Sequence, residues 1–150
     1  HVNLAISLHS VRDSVRSELM PINRKYSVSE LIECCRSLSV PRRKRITFEY
    51  LLLGGVNDRV SDAVELAEKI QGIRCKVNLI PFNTHEGSVY PRPPDAVVER
   101  FGNVLRARGI QAHVRRSRGD DIQAACGQLY HAVGVGRDAG ERKEPAAVES

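Results

Sequence analysis

The feature that most constrains this chain of 150 residues is a regular alternation of strand-type and helix-type segments. Short apolar runs rich in β-formers are separated by stretches whose apolar residues recur at helical spacing. We predict strands at 2–8, 46–53, 75–80 and 110–116, and helices at 13–20, 27–38, 61–70, 95–108 and 120–127. The predicted caps are Asp13, Ser27 and Gly109. This order favours a parallel sheet with right-handed crossovers, which is an α/β fold.

The composition is that of a soluble globular protein. Apolar residues make up 41% and charged residues 27%, and no apolar run approaches the roughly 20 residues that span a bilayer. The first residues lack the basic and apolar regions of a signal peptide. The four cysteines form no C-x-x-C pair, so a cytoplasmic location is expected rather than a secreted disulfide scaffold. They are Cys34, Cys35, Cys75 and Cys126.

The two ends of the chain differ in character. Beyond about residue 132 large apolar side chains are scarce, so we expect a folded domain over 1–133 and a disordered tail over 134–150. The beginning has no initiator Met and opens directly on a mostly buried strand, which is expected to leave one edge of the sheet bare. The sequence therefore predicts the later strands of a barrel whose first strands lie elsewhere.

Polar residues follow successive predicted strands at the point where each strand ends. Ser7 and His9 close the first, Asn57 and Asp58 follow the second, and Asn83 follows the third. The carboxyl ends of parallel strands share one edge of a sheet, and α/β proteins bind their ligands there. We therefore expect a binding site at this edge, although each residue taken alone is typical of an ordinary turn.

Five segments, in this order and spacing, resemble the C-terminal half of the RlmN/Cfr family of radical S-adenosylmethionine RNA methyltransferases. They are Leu-Ala-Ile-Ser-Leu-His (4–9), Met-Pro-Ile-Asn-Arg-Lys-Tyr (20–26), Gly-Val-Asn-Asp (55–58), Val-Asn-Leu-Ile-Pro-Phe-Asn (77–83) and Arg-Gly-Asp-Asp-Ile-Gln-Ala-Ala-Cys-Gly-Gln-Leu (118–129). The last segment resembles the RlmN branch more than the Cfr branch. The resemblance implies the C-terminal part of a partial (β/α)6 radical-SAM barrel, incomplete at its N-terminal edge.

Cys126 has two interpretations. From the residues alone it is a small buried cysteine, since free cysteine is among the most buried residue types. The resemblance implies instead that it accepts a methyl group from S-adenosylmethionine and becomes S-methylcysteine. A radical derived from a second S-adenosylmethionine then removes a hydrogen from that methyl group, and the resulting carbon radical adds to adenine. A thiolate suits the first step because it is a strong nucleophile.

The resemblance also assigns cofactor-binding residues. Ser7, Leu8, His9 and Asn83 match family positions that bind S-adenosylmethionine, and their side chains include hydrogen-bonding groups suited to a polar ligand. For a lone Ser-Leu-His segment, a solvated loop is the more common outcome. The cysteines that would hold a [4Fe-4S] cluster have no counterpart in the sequence, so no metal-binding residue is predicted and the cluster ligands are expected upstream of residue 1.

The basic residues weakly favour an anionic partner, because the formal net charge is +5. Arg115–Arg118 precedes the Cys126 segment and is placed to hold RNA phosphates. Arg42–Arg45 lies in a connection at the opposite, amino edge of the sheet, where a solvated loop is expected. Implied partners are large-subunit rRNA, tRNA as in some relatives, and an electron donor for the cluster; no membrane is expected, and the chain is expected to be a monomer.

The resemblance implies a fragment of a 23S rRNA (adenine-C2)-methyltransferase, with tRNA adenine as a second substrate, that is inactive by itself. The main alternative is a non-catalytic α/β RNA-binding module that has lost its iron–sulfur half. A radical enzyme acting on a small molecule is a third interpretation. A cluster motif encoded in frame upstream of His1 would favour the first interpretation, and a start codon immediately before His1 would favour the second.

Overall fold

The computed structural model describes residues 3–83 and 89–115. The strands are β1 (Ala5–Ser7), β2 (Ile46–Leu52), β3 (Cys75–Pro81) and β4 (Gln111–Val114). The helices are α1 (Asp13–Leu19), α2 (Val28–Ser37), α3 (Val60–Ile70) and α4 (Asp95–Ala107), and a 3-10 helix spans Pro21–Arg24. The predicted last helix, the boundary at residues 133 and 134, and Cys126 lie outside the described residues.

All four strands belong to one parallel sheet in the order β1-β2-β3-β4. Each strand pairs with the next along the chain, and helices connect them, so the predicted α/β fold is confirmed. Among residues 3–83 and 89–115, β1 lies at one end of the sheet and β2 is its single neighbour. Because parallel strands need crossovers of a dozen or more residues, the helical connections account for the spacing of the strands in the sequence.

The main core lies on one face of the sheet, between the strands and helices α2, α3 and α4. Phe48 and Tyr50 of β2 are fully buried there, and the Tyr50 ring lies 5.0 Å, centroid to centroid, from Phe101 of α4. Side chains alternate along a strand, so Thr47, Glu49 and Leu51 point to the other face. We call that second face, turned away from α2, α3 and α4, the open face.

A second apolar cluster covers the carboxyl end of the open face. It joins Leu51 of β2 and Phe82 after β3 to Leu19 of α1, with Val15, Met20, Ile80 and Tyr90 packed against it. Helix α1 therefore lies across the carboxyl ends of the strands rather than on the helical face of the sheet. The part of the open face nearer the amino ends is not covered by this cluster, and Ala5 and Ser7 are exposed there.

Two sequence predictions are wrong in detail. The first strand is not mostly buried: it is three residues long, and Ala5 and Ser7 are exposed because the described part of the chain supplies one neighbouring strand and no layer over that face. Asp13 does not cap its own helix. It is the first residue of α1, and its carboxylate accepts hydrogen bonds from the Val28 N–H (2.9 Å) and from Asn23 (3.1 Å). These two hydrogen bonds lower the pKa of Asp13.

Two predicted helix ends are confirmed. Ser27 caps α2 by accepting a hydrogen bond from the Glu30 N–H at 3.2 Å. Gly109 follows α4 with a positive φ of 79°, the conformation that favours glycine at a helix end. Among the described residues, no helix is long and apolar enough to cross a membrane.

Candidate functional site

A row of polar side chains crosses the open face of the sheet. Strand register places Ser7 of β1 beside Glu49 of β2, Glu49 beside Asn78 of β3, and Asn78 beside His113 of β4. Paired residues of parallel strands point to the same face, so the four side chains form one layer. We call Ser7, Glu49, Asn78 and His113 the polar row.

The polar row is unusual for the face of a parallel sheet. Such faces are normally covered on both sides and read as continuous apolar runs, and closed barrels fill their interior with branched apolar residues. Here Ser7 and His113 are exposed, and Glu49 and Asn78 are only partly buried. Arg115 extends the layer, with its Nη1 atom 3.9 Å from Oε1 of Glu49. The row offers donors, acceptors and one carboxylate to a polar ligand.

The segment Ser7-Leu8-His9 leads from the polar row to the carboxyl edge. Ser7 is exposed on the open face, whereas the Leu8 side chain is fully buried in the helix-side core. The Leu8 N–H donates to the carbonyl oxygen of Glu49 at 2.9 Å, which extends the pairing with β2 by one residue. His9 then turns the chain with a φ of 59°, an uncommon conformation for a residue other than glycine.

His9 is held as a neutral side chain. Its Nδ1 atom accepts a hydrogen bond from the Leu51 N–H at 2.9 Å, so the ring proton resides on Nε2. Burial, together with the nearby positive charge of Arg16, lowers the pKa of His9 from 6.5 to about 4. Within residues 3–83 and 89–115, Nε2 has no hydrogen-bond partner. A half-buried, neutral N–H donor is therefore available beside the polar row.

This arrangement makes the stability of the fold depend on the protonation of His9. Between pH 6.5 and about 4 the unfolded chain gains a proton at this position and the folded chain does not. As the pH is lowered across that interval, we expect the free energy of unfolding to fall by up to about 1.4 kcal/mol per pH unit. His9→Asn keeps an acceptor and tolerates the positive φ but does not titrate. The measurement is urea unfolding of both proteins from pH 7 to 4, and equal slopes would contradict the assignment.

Asn57 connects the ends of β1 and β2. Its side-chain amide nitrogen donates to the carbonyl oxygens of His9 (2.6 Å) and Leu51 (2.7 Å), and its oxygen accepts from the Leu53 N–H at 2.7 Å. The hydroxyl of Tyr50 donates to the Asn57 carbonyl at 2.7 Å. Asn57 is fully buried, and this one side chain satisfies two buried backbone groups, at Leu51 and Leu53, and the partly buried carbonyl of His9.

Arg16 fixes the other side of the same segment. This buried arginine of α1 donates to the carbonyl oxygens of Leu8 (2.9 Å) and Ser7 (3.2 Å), and its third bond goes to Oδ1 of Asn23 at 2.8 Å. Burial lowers the pKa of Arg16. Neither Arg16 nor Asn23 was predicted from the sequence to belong to the site. The available signal was Asn23 itself, a polar residue in the segment Met20–Tyr26 that resembles the family.

Asn83 lies at the same edge of the sheet, beside a separate pocket. Asn83 is exposed and follows β3, whereas Ser7 ends β1. Because β2 lies between them, β1 and β3 are two strand spacings apart, about 10 Å. The pocket has a volume of about 530 Å³ and is lined by Pro81, Asn83, Arg92, Asp95, Val98, Glu99, Arg106 and Val114. The structure thus brings Ser7, Leu8 and His9 together and places Asn83 apart from them.

The described residues do not fit an iron–sulfur cluster. No group of three or more His, Cys, Asp or Glu side chains that could hold a metal ion occurs among them. Cys35 and Cys75 are buried, and burial raises the pKa of Cys75 to about 11 and also raises that of Cys35, so both are protonated thiols rather than thiolate ligands. Cys126 and Arg116–Arg118 lie outside the described residues.

Known proteins resemble this chain in both sequence and fold. RlmN of Syntrophobacter fumaroxidans, a dual-specificity RNA methyltransferase, is 51% identical over 133 residues, which cover 89% of this chain and 39% of the relative. RlmN of an Anaeromyxobacter species is 54% identical over 136 residues, covering 90% and 36%. The chain therefore spans well under half the length of these relatives. No profile of a protein family matches the sequence.

Solved structures of similar fold identify the class of protein. A radical SAM methyltransferase from Sphaerobacter thermophilus is 50% identical, with a TM-score of 0.76 over 85% of this chain and 38% of that structure. A domain of a pyruvate-formate lyase-activating enzyme from Bacteroides vulgatus shares the fold alone, at 16% identity and a TM-score of 0.59. The parallel sheet with its polar open face is thus part of a radical S-adenosylmethionine α/β fold. Within that class, the chain belongs to the RlmN branch of the RlmN/Cfr methyltransferase family, as its five segments predicted.

Proposed function

We propose that the chain is part of a radical S-adenosylmethionine RNA methyltransferase that methylates C2 of an adenine in 23S rRNA, with a tRNA adenine as a second substrate. The observation that carries the proposal is the polar row beside the Ser7-Leu8-His9 segment, on a sheet face that would otherwise be apolar. The name of the relatives, dual-specificity RNA methyltransferase, supports RNA as the methyl acceptor.

The residues at this edge fit a polar, cationic cofactor. The Ser7 hydroxyl and the neutral Nε2–H of His9 would hydrogen-bond it, while the buried Leu8 would fix the spacing between them through its place in the core. Glu49 places a carboxylate in the same layer, complementary to a sulfonium or ammonium group. Asn83 would contact a more distant part of the molecule. When bound, S-adenosylmethionine supplies an electrophilic methyl group and, at a [4Fe-4S] cluster, a radical.

Cys126 would carry the methyl group to the base. Adenine C2 lies between two ring nitrogens and is electron-poor, so it does not attack a sulfonium methyl directly, whereas a thiolate does. We call Ser7-Leu8-His9 the cofactor segment. Arg16 and Asn57 would position it, because they hydrogen-bond the carbonyl groups of these three residues. The cluster, its electron donor and the cytoplasmic location remain part of the proposal, as does a monomeric state.

The proposal is tested with the cluster-bearing protein that contains this chain. It is incubated with S-adenosylmethionine labelled in its methyl group and with 23S rRNA or tRNA from cells that lack the modification. We expect labelled 2-methyladenosine in digests of the rRNA, and in tRNA if the second substrate is correct. RNA that already carries the modification is the control and should take up no label. Label found only in 8-methyladenosine, or only in a small molecule, would contradict the proposal.

A further inference from the structure

The 3-10 helix Pro21–Arg24 and the two residues after it form a turn that exposes almost every side chain. Ile22 is 53% exposed and Tyr26 is 51% exposed, and Arg24 and Lys25 are also exposed. We call Ile22, Arg24, Lys25 and Tyr26 the turn surface. Large apolar side chains in such a position are unusual in an otherwise well-packed protein, and adjacent ones together with cations mark an interaction site.

Hydrogen bonds hold the turn in place even though its surface is exposed. Its one inward side chain, Asn23, donates to Oγ of Ser17 (2.9 Å) and to the carboxylate (3.1 Å) and carbonyl (3.3 Å) of Asp13, and it accepts from Arg16 at 2.8 Å. The N–H groups of Lys25 and Tyr26 both donate to the Ile22 carbonyl at 3.1 Å. A partner would therefore meet a preformed surface and would not have to order it.

The charge of the turn surface is not compensated locally. Neither Arg24 nor Lys25 forms an ion pair with any residue of 3–83 or 89–115, and the carboxylate of Asp13 is occupied by Asn23 and Val28. Lys25 Nζ lies 5.5 Å from the centroid of the Tyr26 ring. One exposed cation thus lies beside an exposed aromatic ring, and a second exposed cation, Arg24, precedes it in the sequence.

The turn surface lies close to the cofactor segment. Arg16 connects them, since it contacts Asn23 inside the turn and the carbonyls of Ser7 and Leu8 at the end of β1. Both therefore lie at the carboxyl edge of the sheet. A nucleotide whose base entered the site beside His9 would leave its neighbours along the RNA strand near this turn.

We propose that the turn surface binds the single-stranded nucleotides that flank the target adenine, an inference that rests on the proposed RNA methyltransferase function. Arg24 and Lys25 would contact phosphates, and Tyr26 with Ile22 would provide a platform on which a base stacks. A protein partner fits less well, because the cores of protein interfaces are depleted of charged residues, lysine among them.

The test compares two pairs of substitutions that change the net charge equally. Arg24→Gln with Lys25→Gln alters the turn surface, and Arg42→Gln with Arg43→Gln alters the exposed loop before β2, at the amino edge. Affinity for an RNA hairpin with an unpaired adenine is measured by fluorescence anisotropy at several salt concentrations. We expect the first pair to weaken binding about 10-fold. The slope of log affinity against log salt concentration should become shallower by about 1.4, as expected for two lost phosphate contacts on a single strand. The second pair should change affinity by less than about 2-fold.

The aromatic contribution is tested separately. Tyr26→Ala should weaken binding about 10-fold at every salt concentration, whereas Tyr26→Phe should bind like the wild type, because stacking needs the ring and not the hydroxyl. Each variant should unfold at the same urea concentration as the wild type, which excludes misfolding as the cause of weaker binding. Equal losses from both charge pairs, or no loss from the first, would overturn the assignment of the surface. Binding and methylation by the wild type would in that case leave the proposed function standing, and failure of the wild type to bind RNA would overturn both.

Discussion

Replacing Cys126 with alanine is expected to abolish methyl transfer to RNA. No other residue of the segment 118–129 is a thiol, and adenine C2 is too electron-poor to take a methyl group from a sulfonium without a nucleophilic carrier. The effect should be a complete loss rather than a reduced rate, because the substitution removes an obligatory covalent step and not a binding contact. The measurement is incorporation of labelled methyl into RNA, together with mass spectrometry of the peptide that contains residue 126.

The matched controls are the other cysteines. Cys34→Ala removes an exposed thiol, and Cys75→Ala removes a thiol whose pKa of about 11 keeps it protonated. Both substitutions should leave methyl transfer unchanged. In the wild-type protein the mass of one methyl group should appear on residue 126 and on no other cysteine. Methyl transfer by the Cys126→Ala protein, or a methyl group found on Cys34, would refute the assignment.

Replacing Asn57 with alanine is expected to lower the free energy of unfolding by about 3 kcal/mol or more. The substitution leaves the buried Leu53 N–H and Leu51 carbonyl and the partly buried His9 carbonyl without their partner, and each unsatisfied buried group costs about 1–3 kcal/mol. Since domains of this kind are stable by only about 5–15 kcal/mol, the loss is a large fraction of the total. Urea unfolding at pH 7 measures it.

Asn103→Ala is the matched control for Asn57. Asn103 is exposed on α4 and makes one hydrogen bond, with Arg106 at 3.1 Å, so its removal should change stability by less than about 0.5 kcal/mol. The Asn57→Ala protein should also lose affinity for S-adenosylmethionine if the His9 carbonyl must be held in place. Equal stability of the two variants would show that water or a backbone shift replaces the Asn57 hydrogen bonds.

The sheet was predictable because its signals are local. The β-formers of 46–53 and the helical spacing of 61–70 each occur within one element, and they gave boundaries within one residue of β2 and α3. The burial of β1 was not predictable in this way. It depends on whether a second strand and a covering layer flank Ala5 and Ser7, and no pattern within those residues reports that.

The candidate site was predictable only in its place. Parallel strands bring their carboxyl ends to one edge, so Ser7, His9 and Asn83 had to share that edge wherever they lay along it. The separation of Asn83 from Ser7 depends on the strand order, which the sequence does not state. Arg16 was missed for another reason: a single arginine in a short helix looks solvated, and only the folded chain shows that it reaches two carbonyl groups.

The division of the sheet into two faces has a consequence for how such a protein can evolve. Phe48 and Tyr50 face the helices and stabilise the fold, whereas Glu49 between them faces away and contributes little to the core. We therefore expect neighbouring positions on one strand to answer to different constraints, packing for one and the ligand proposed above for the next. A lineage can change which molecule it accepts by exchanging residues of the polar row while the packing that keeps the chain folded is left untouched.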